Sequence, residues 1–541
     1  MEKNRARREM YKLGVLVRLW IMSAVILQLG AAKASVSQAL GSPTIVHALS
    51  LTRPGISGSA VVNRVDAFIS QQIERHGLPG LALALVDGDA VIFMKGYGKA
   101  DQTGRPITPQ TPFILASVSK PLTAVAVMQL VESGKVELDA PVQRYLPEFR
   151  VADPVASSQI TVRHLLLHTS GLPSTACDTN ANADTLAQFV TELQTVELAA
   201  IVGTRHNYCS GNYNILGRVI EVVTGQSFGQ YVQENVFAPL DMKQSFTSES
   251  EAQQAGLARG YQWFFGLPVQ IHHPYNLSQL PSGYMISSVE DMSHFLISQL
   301  NQGQYLNARL LSADGVSAMQ VPGTERGSDD GYGFGWVISP VGDVPSVWHD
   351  GVNPNFHSIL LMQPGTRRGM VMLVNSFGIV AYESAYKEIE TGVARILAGM
   401  EPDEPSQSLG NLYLLIDALL AGLLTIVLWP LIRIQKWNHW LLERLQAGKS
   451  PMIRASLRSV WEIGFALLLL IGFRVFIING MGAQSWYEFF TVFPDFVVWI
   501  WVFSLTILIT GLLRMRLILQ TRRSASLLNE YTSGEPAASR F

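Results

Sequence analysis

Hydrophobic and polar positions divide the chain into two unequal parts. From about residue 60 to 400, apolar residues come in short bursts separated by polar turns, as in a soluble globular protein; from 409 to 515 they gather into three long runs. In the first part, 61–76 has helical spacing and precedes two strand-like runs, Leu81-Ala-Leu-Ala-Leu-Val86 and Ala90-Val-Ile-Phe-Met94. Asp87-Gly-Asp between them is a hairpin signal. Helical patterns dominate 117–237, including 122–131 before Gly134 and 214–224. Strand-like segments return after 330, at 344–349 and 355–362, and 382–397 closes the region as a helix. Strands at both ends with helices between predict an α/β fold. One antiparallel sheet is drawn from both ends, flanked by helices and carrying a helical subdomain, with the active site where sheet and helices meet.

The three apolar runs, 409–434, 459–482 and 493–515, are each long enough to cross a bilayer. Arg433, Lys436, Arg444, Lys449, Arg454 and Arg458 lie between the end of the first and the start of the second. No Lys or Arg separates the second from the third, and Arg514, Arg516, Arg522 and Arg523 follow. The positive-inside rule then sends the first span outside to inside, returns the second, and leaves a cytoplasmic tail at 516–541. Asp417, Glu462 and Arg474 fall in or near the spans, either as a buried Glu–Arg pair or as charges reaching for an interface. The N-terminus agrees with this topology. Lys3, Arg5, Arg7, Arg8, Lys12 and Arg18 precede an apolar core (19–30) and Ala32-Lys-Ala34, the pattern of a secretory signal peptide cleaved after Ala34, with an uncleaved anchor as the alternative. A Ser-, Gly- and Ala-rich linker at 35–60 leads to the domain at 61–400, which the two signals together put outside a bacterial inner membrane.

The 541 residues are 48% hydrophobic with mean hydropathy +0.20, in keeping with membrane segments. A net charge of −2 gives no reason to invoke nucleic acid. Cys177 and Cys209 are the two cysteines, and export permits a disulfide, though spacing leaves their distance open. No Cys/His cluster has metal-ligand spacing, His272-His273 reads as surface or substrate lining, and no nucleotide-binding glycine loop stands out, so neither metal nor cofactor is expected.

Three short strings bring chemistry: Ser117-Val-Ser-Lys120, Tyr208-Cys-Ser210 and His349-Asp-Gly351, with His168-Thr-Ser-Gly-Leu-Pro173 between the first two. A serine hydroxyl attacks a carbonyl only if its proton is removed. Lys120, three residues on, shares a helical face with Ser117 and acts as that base if burial lowers its pKa. Tyr208 is the proton relay between nucleophile, lysine and leaving amine. Pro121 marks a first helical turn, which puts Ser117 at the positive helix end and its N–H in one half of an oxyanion hole. Residues before proline avoid the helical region, so the turn at Lys120 is expected to be irregular. Gly351 lets a substrate backbone approach the strand, and Val352 N–H is the second oxyanion donor. His349 supplies a less constant positive charge than a lysine would, which weakens any expectation of a substrate carboxylate. Asp350 beside it is a charge with no assigned role.

On these strings, with Leu165-Leu-Leu-His-Thr-Ser-Gly-Leu-Pro173, Asn212-Tyr-Asn-Ile-Leu-Gly217 and Gly331-Tyr-Gly-Phe-Gly-Trp336, residues 60–400 resemble the serine beta-lactamase-related family of class C beta-lactamases, D,D-peptidases and esterases. The whole chain is similar to prodrug-activating peptidases of the colibactin-maturation type, which carry Tyr-x-Ser in the second string and three C-terminal transmembrane helices. His349-Asp-Gly-Val-Asn-Pro-Asn-Phe356 is similar to their third motif. That resemblance implies removal of an N-acyl-D-asparagine cap from an acylated peptide or small-molecule prodrug at a lipid membrane. It implies nucleophile, base and relay at Ser117, Lys120 and Tyr208, and substrate contacts at Ser210, Gln279, His349, Gly351 and Asn353. Gln279 stands where the relatives have histidine, a departure at one recognition position. The same scaffold also carries D,D-peptidases, beta-lactamases and esterases, and an idle sensor domain is a further reading that the intact Ser117, Lys120 and Tyr208 set speaks against.

Overall fold

The computed structural model describes residues 58–174, 183–327, 330–447, 452–476 and 494–533. The expected signal peptide and nearly all of the linker lie outside them. Helix α1 (Gly58–His76) leads into β1 (Gly80–Asp87) and β2 (Ala90–Gly98), the expected hairpin. Helix α2 (Ser119–Glu132) then opens the helical region, which includes α3 (Gly211–Thr224). A small hairpin, β3 (Tyr261–Phe264) and β4 (Leu267–Gln270), precedes α4 (Val289–Leu300). Strands β5 (Thr324–Gly327), β6 (Asp330–Tyr332), β7 (Val337–Val341), β8 (Val344–Asn353), β9 (Phe356–Gln363) and β10 (Arg368–Val374) follow. The short β11 (Ser376–Phe377) pairs with β3, and α5 (Lys387–Leu397) closes the domain behind a π-turn at Tyr382–Tyr386.

The main sheet has eight strands in the order β2-β1-β10-β9-β8-β7-β6-β5, antiparallel throughout. Strand β1 shows why both ends of the domain meet. Its residues Ala82, Ala84 and Val86 face the helical region, while Leu81, Leu83 and Leu85 face α1 and α5. A strand buried on both faces needs an apolar residue at every position, which the run from Leu81 to Val86 provides. Helix α2 is apolar on all sides and enclosed from Ser119 to Met128, the mark of a helix buried at the centre of a fold.

Among the described residues, three helices are long and apolar enough to cross a membrane. They are α6 (Leu409–Ile432), α8 (Met452–Phe476) and α9 (Pro494–Ser533). Between the first two, the stretch expected as a basic loop is helix α7 (Ile434–Gln446), whose Leu441 packs with Ala455 and Ile518. Helix α9 also runs well past Met515, the expected end of the third span. Glu462 finds its partners in Arg514 and, at 3.3 Å, Arg458. The side chain of Arg474 lies outside the described residues.

The sheet-and-helix domain rests on the N-terminal turns of α6 and α9. The β3–β4 turn, Phe265-Gly266, has φ of 49° and 72°, and a side chain on Gly266 would lie 2.9 Å from Tyr413 of α6. Phe265 N–H donates to Asp495 of α9 (2.8 Å), the Trp263 and Tyr413 rings stack at 6.3 Å, and Leu409 N–H donates to His76 Nδ1 (3.2 Å).

Candidate active site

Ser117 sits in a short 3₁₀ turn, Ala116–Val118, that runs straight into α2. The irregularity expected at Lys120 falls earlier, in this turn, and Lys120 itself lies in the regular first turn of α2. Ala116 has φ of 46°, a left-handed conformation that costs an L-residue energy and persists only where its surroundings impose it. Two contacts impose it here. Ser358 Oγ donates to Leu115 C=O (2.6 Å), and Gly351 lies so close that a Cβ on it would stand 2.9 Å from Ser117 N and closer still to Leu115 O and Ser358 Oγ. Only glycine fits at position 351.

Lys120 is fully enclosed. Its Nζ lies 2.9 Å from Ser117 Oγ and donates to Ser282 C=O at 2.7 Å. Neither partner is an anion, so burial wins: desolvation pushes the ammonium from 10.5 to about 7, against a smaller upward pull from Asp350. At neutral pH a large fraction of Lys120 is therefore a free amine beside a hydroxyl. Tyr208 OH donates to Ser117 Oγ at 3.0 Å, and Lys120 Nζ lies 4.9 Å from the centre of its ring. Tyr208 is 37% exposed as a residue, yet close packing around the phenol raises its pKa, and hydrogen bonding with Ser117 and Ser210 offsets only part of that. Tyr208 thus stays protonated and can give a proton, which leaves Lys120 as the group able to take one.

His349 is buried, with Nε2 3.1 Å from Tyr332 OH and Nδ1 2.6 Å from Asp350 C=O. Burial first, and then neighbouring Lys120, depress its pKa to about 4, so it is neutral and offers no standing charge to a carboxylate. Strand alternation puts Asp350 on the opposite face from His349 and Gly351. There it accepts a hydrogen bond from Tyr382 OH (2.7 Å). The charge without a role in the sequence belongs to the far side of the sheet.

The string at 168–173 is a buttress. His168, fully buried and with φ of 56°, accepts Cys209 N–H (3.2 Å) on Nδ1, which also lies 3.0 Å from Asn212 Nδ2, and its ring packs 4.4 Å from that of Tyr208. Ser170 Oγ donates to Asn212 Oδ1 at 2.7 Å. Cys209 is disulfide-bonded, where spacing alone gave no reason to expect a bridge; Cys177, the other cysteine of the chain, lies outside the described residues.

The remaining expected contacts are less tightly gathered. Ser210 is the residue before α3 and reaches Tyr208. Asn353 Nδ2 donates to Gly283 C=O (3.4 Å), next to the carbonyl that receives Lys120. Gln279 ends a short turn, half-buried, and its carbonyl receives Ser282 Oγ (3.2 Å). Val352 is 41% exposed on β8, the residue after Gly351. His273 Nε2 lies 3.0 Å from Tyr284 OH. Sequence reasoning missed Ser282, Tyr332 and Ser358. Register could have found Ser358, because it pairs directly with Gly351.

Comparison with known proteins gives the family and the fold. The beta-lactamase family model matches residues 65–390, and the chain belongs to that family, whose members are serine hydrolases. Penicillin-binding protein 4 of Amycolatopsis lactamdurans is 34% identical over 311 residues, covering 56% of this chain and 81% of that protein. Protein flp of Staphylococcus aureus (strain MW2) is 29% identical over 316 residues, 58% of this chain; the match spans only 62% of its own length. The octameric penicillin-binding protein homologue from Pyrococcus abyssi superposes with a TM-score of 0.56 at 24% identity, over 63% of this chain and 78% of that one, a likeness of fold.

Proposed function

We propose that the chain is a membrane-anchored, exported serine peptidase that removes an N-acyl-D-asparagine cap from a peptide or small-molecule prodrug through an acyl-enzyme. The observation that carries the chemistry is the buried amine of Lys120, held by a carbonyl and not by an anion, at 2.9 Å from Ser117 Oγ. In this mechanism the free amine takes the Ser117 proton as Oγ attacks the acyl carbonyl of the scissile amide. The developing oxyanion lies between the N–H groups of Ser117 and Val352. Tyr208, a phenol at neutral pH, passes a proton to the leaving amine and is recharged through Ser117 and Lys120. Water then takes the amine's place, and the same groups in reverse release the acid.

Ser210, Asn353 and Gln279 support an amide-bearing substrate side chain, because a site lined by hydrogen-bonding groups rejects analogues that leave them unpaired. Neutral His349 speaks against a penicillin carboxylate as the main anchor. The name of the Amycolatopsis relative keeps a D,D-peptidase or beta-lactamase as the second reading. Export rests on the topology. The domain sits at the N-terminal ends of α6 and α9, while Arg433, Arg454 and Arg458 gather at the other ends.

The test is hydrolysis by the full chain in lipid nanodiscs of an N-myristoyl-D-asparaginyl amide, its L-epimer and ampicillin, beside Ser117→Ala. Cleavage of the D-epimer alone, lost in Ser117→Ala, is expected. Equal cleavage of both epimers, or hydrolysis of ampicillin alone, would hand the assignment to the second reading.

A further inference from the structure

Behind the cleft, on the face of the sheet turned away from Ser117, stands a buried pair that the reaction above does not use. His357 of β9 is 1% exposed and Glu390 of α5 is 7% exposed, and Nε2 lies 2.6 Å from the carboxylate Oε1. The imidazole stacks flat on Tyr386 at 5.0 Å, with the edge of Tyr382 at 5.4 Å. Its other nitrogen, Nδ1, faces Gly351 C=O at 3.0 Å. A carbonyl only accepts, so Nδ1 carries the hydrogen and donates it.

The peptide that receives this bond is the one that matters. Gly351 C=O and Val352 N–H are two ends of a single planar unit, and no peptide bond among the described residues is cis. In a trans peptide the two point in opposite directions. An imidazole gripping the carbonyl from the β9 side therefore aims Val352 N–H away from β9. Among the described residues, the pairing of β7 with β8 ends at Trp348, so β7 does not claim this N–H. The 3₁₀ turn carrying Ser117 packs directly on Gly351, the residue before that N–H, so close that a Cβ there would stand 2.9 Å from Ser117 N. Donation into the carbonyl also polarises the peptide and strengthens its N–H as a donor.

We propose that His357, oriented by Glu390, is a positioning residue that sets the aim of Val352 N–H as an oxyanion donor. The chain of contact runs from α5 through β9 to β8 and reaches the reacting atoms only through the peptide between Gly351 and Val352. The proposal rests on the acyl-transfer reading of the site.

The test uses the full chain in detergent with an activated p-nitrophenyl ester, and a fluorophosphonate that labels Ser117. Parent protein that takes no label would overturn the acyl-transfer reading, and this proposal with it. In His357→Leu/Glu390→Leu the buried polar pair is replaced by apolar groups of similar size, a change that folds tolerate well. The double variant is expected to lose at least about tenfold in kcat with KM within about twofold, since a misaimed oxyanion donor weakens the transition state alone. His357→Asn/Glu390→Leu returns an N–H to the place of Nδ1 and is expected to recover most of the rate. A double-leucine variant with parental kcat, or a loss confined to KM, overturns the proposal. Should that variant fail to fold, Glu390→Gln decides: a kcat drop of about threefold or more at constant KM supports positioning, and an unchanged kcat defeats it.

Discussion

Replacing Lys120 by methionine should make the protein more stable at mildly acidic pH while destroying its chemistry. Burial takes the amine from 10.5 to about 7, which at about 1.4 kcal/mol per pH unit is roughly 5 kcal/mol of folding stability forgone below pH 7. The sign follows from proton counts. Between about pH 7 and 10.5 the unfolded chain holds a proton on Lys120 that the folded chain has released, so stability from this group rises with pH across that window. Methionine removes the penalty but strands the buried Ser282 carbonyl, a cost of about 1–3 kcal/mol. The net gain near pH 6 is then roughly 2–4 kcal/mol, or roughly 4–8 °C in Tm. Near pH 10.5 only the stranded carbonyl remains and the variant is the less stable, with the change of sign near about pH 9. Thermal unfolding of both full chains in detergent, followed from about pH 6 to about pH 10, measures this directly. Over the same range, fluorophosphonate labelling of the parent should rise about tenfold per pH unit below 7 and level off above it. A Tm difference of constant sign and size, together with labelling that still climbs past about pH 9, would mean that Lys120 is an ordinary ammonium and the base assignment is wrong.

Gly351→Ala would drive a methyl group against Ser117 N and Leu115 O, so labelling should fall at least about 100-fold, the scale of a lost oxyanion donor. Retention of a tenth of the parental rate would show that β8 can retreat without cost. In the helices, Glu462→Leu leaves Arg514 and Arg458 without their acid and should lower stability in detergent by about 3 kcal/mol. Glu462→Leu/Arg514→Leu should regain most of it, and equal losses in single and double variants would mean that the pair contributes no coupling.

The parts of this site that lie close in sequence were legible from it. Ser117 and Lys120 share one turn, Pro121 marks where that turn begins, and the run from Leu81 to Val86 declares a strand buried on both faces. Glycine at position 351 also reads as a place where a substrate backbone approaches the strand, whereas the far-side place of Asp350 shows only in its bond from Tyr382. What lay hidden depends on the approach of distant segments. The carbonyl that holds Lys120 comes from Ser282, 162 residues away, in a turn whose local pattern says nothing of its direction. His168, which stands in the sequence only as part of a string with no role of its own, props Tyr208 and Cys209 from a fully enclosed position. Helix α7 was read as a loop because its charges were counted for topology and not for amphipathic spacing. The run to its end of α9 was likewise lost because hydropathy fades at Met515 while the backbone continues as helix.

The seating of the domain on α6 and α9 has a practical corollary. A head on a slack leash could be cut free after residue 400 with little harm, but this one shares its wall with the spans. Leu409 is wholly enclosed and Tyr413 covers Trp263, so a truncated fragment would bare an oily scar at Trp263, Phe265 and His76. The head consequently keeps one orientation relative to α6 and α9, and preparations of the excised head should prove prone to clumping in a way the intact chain is not.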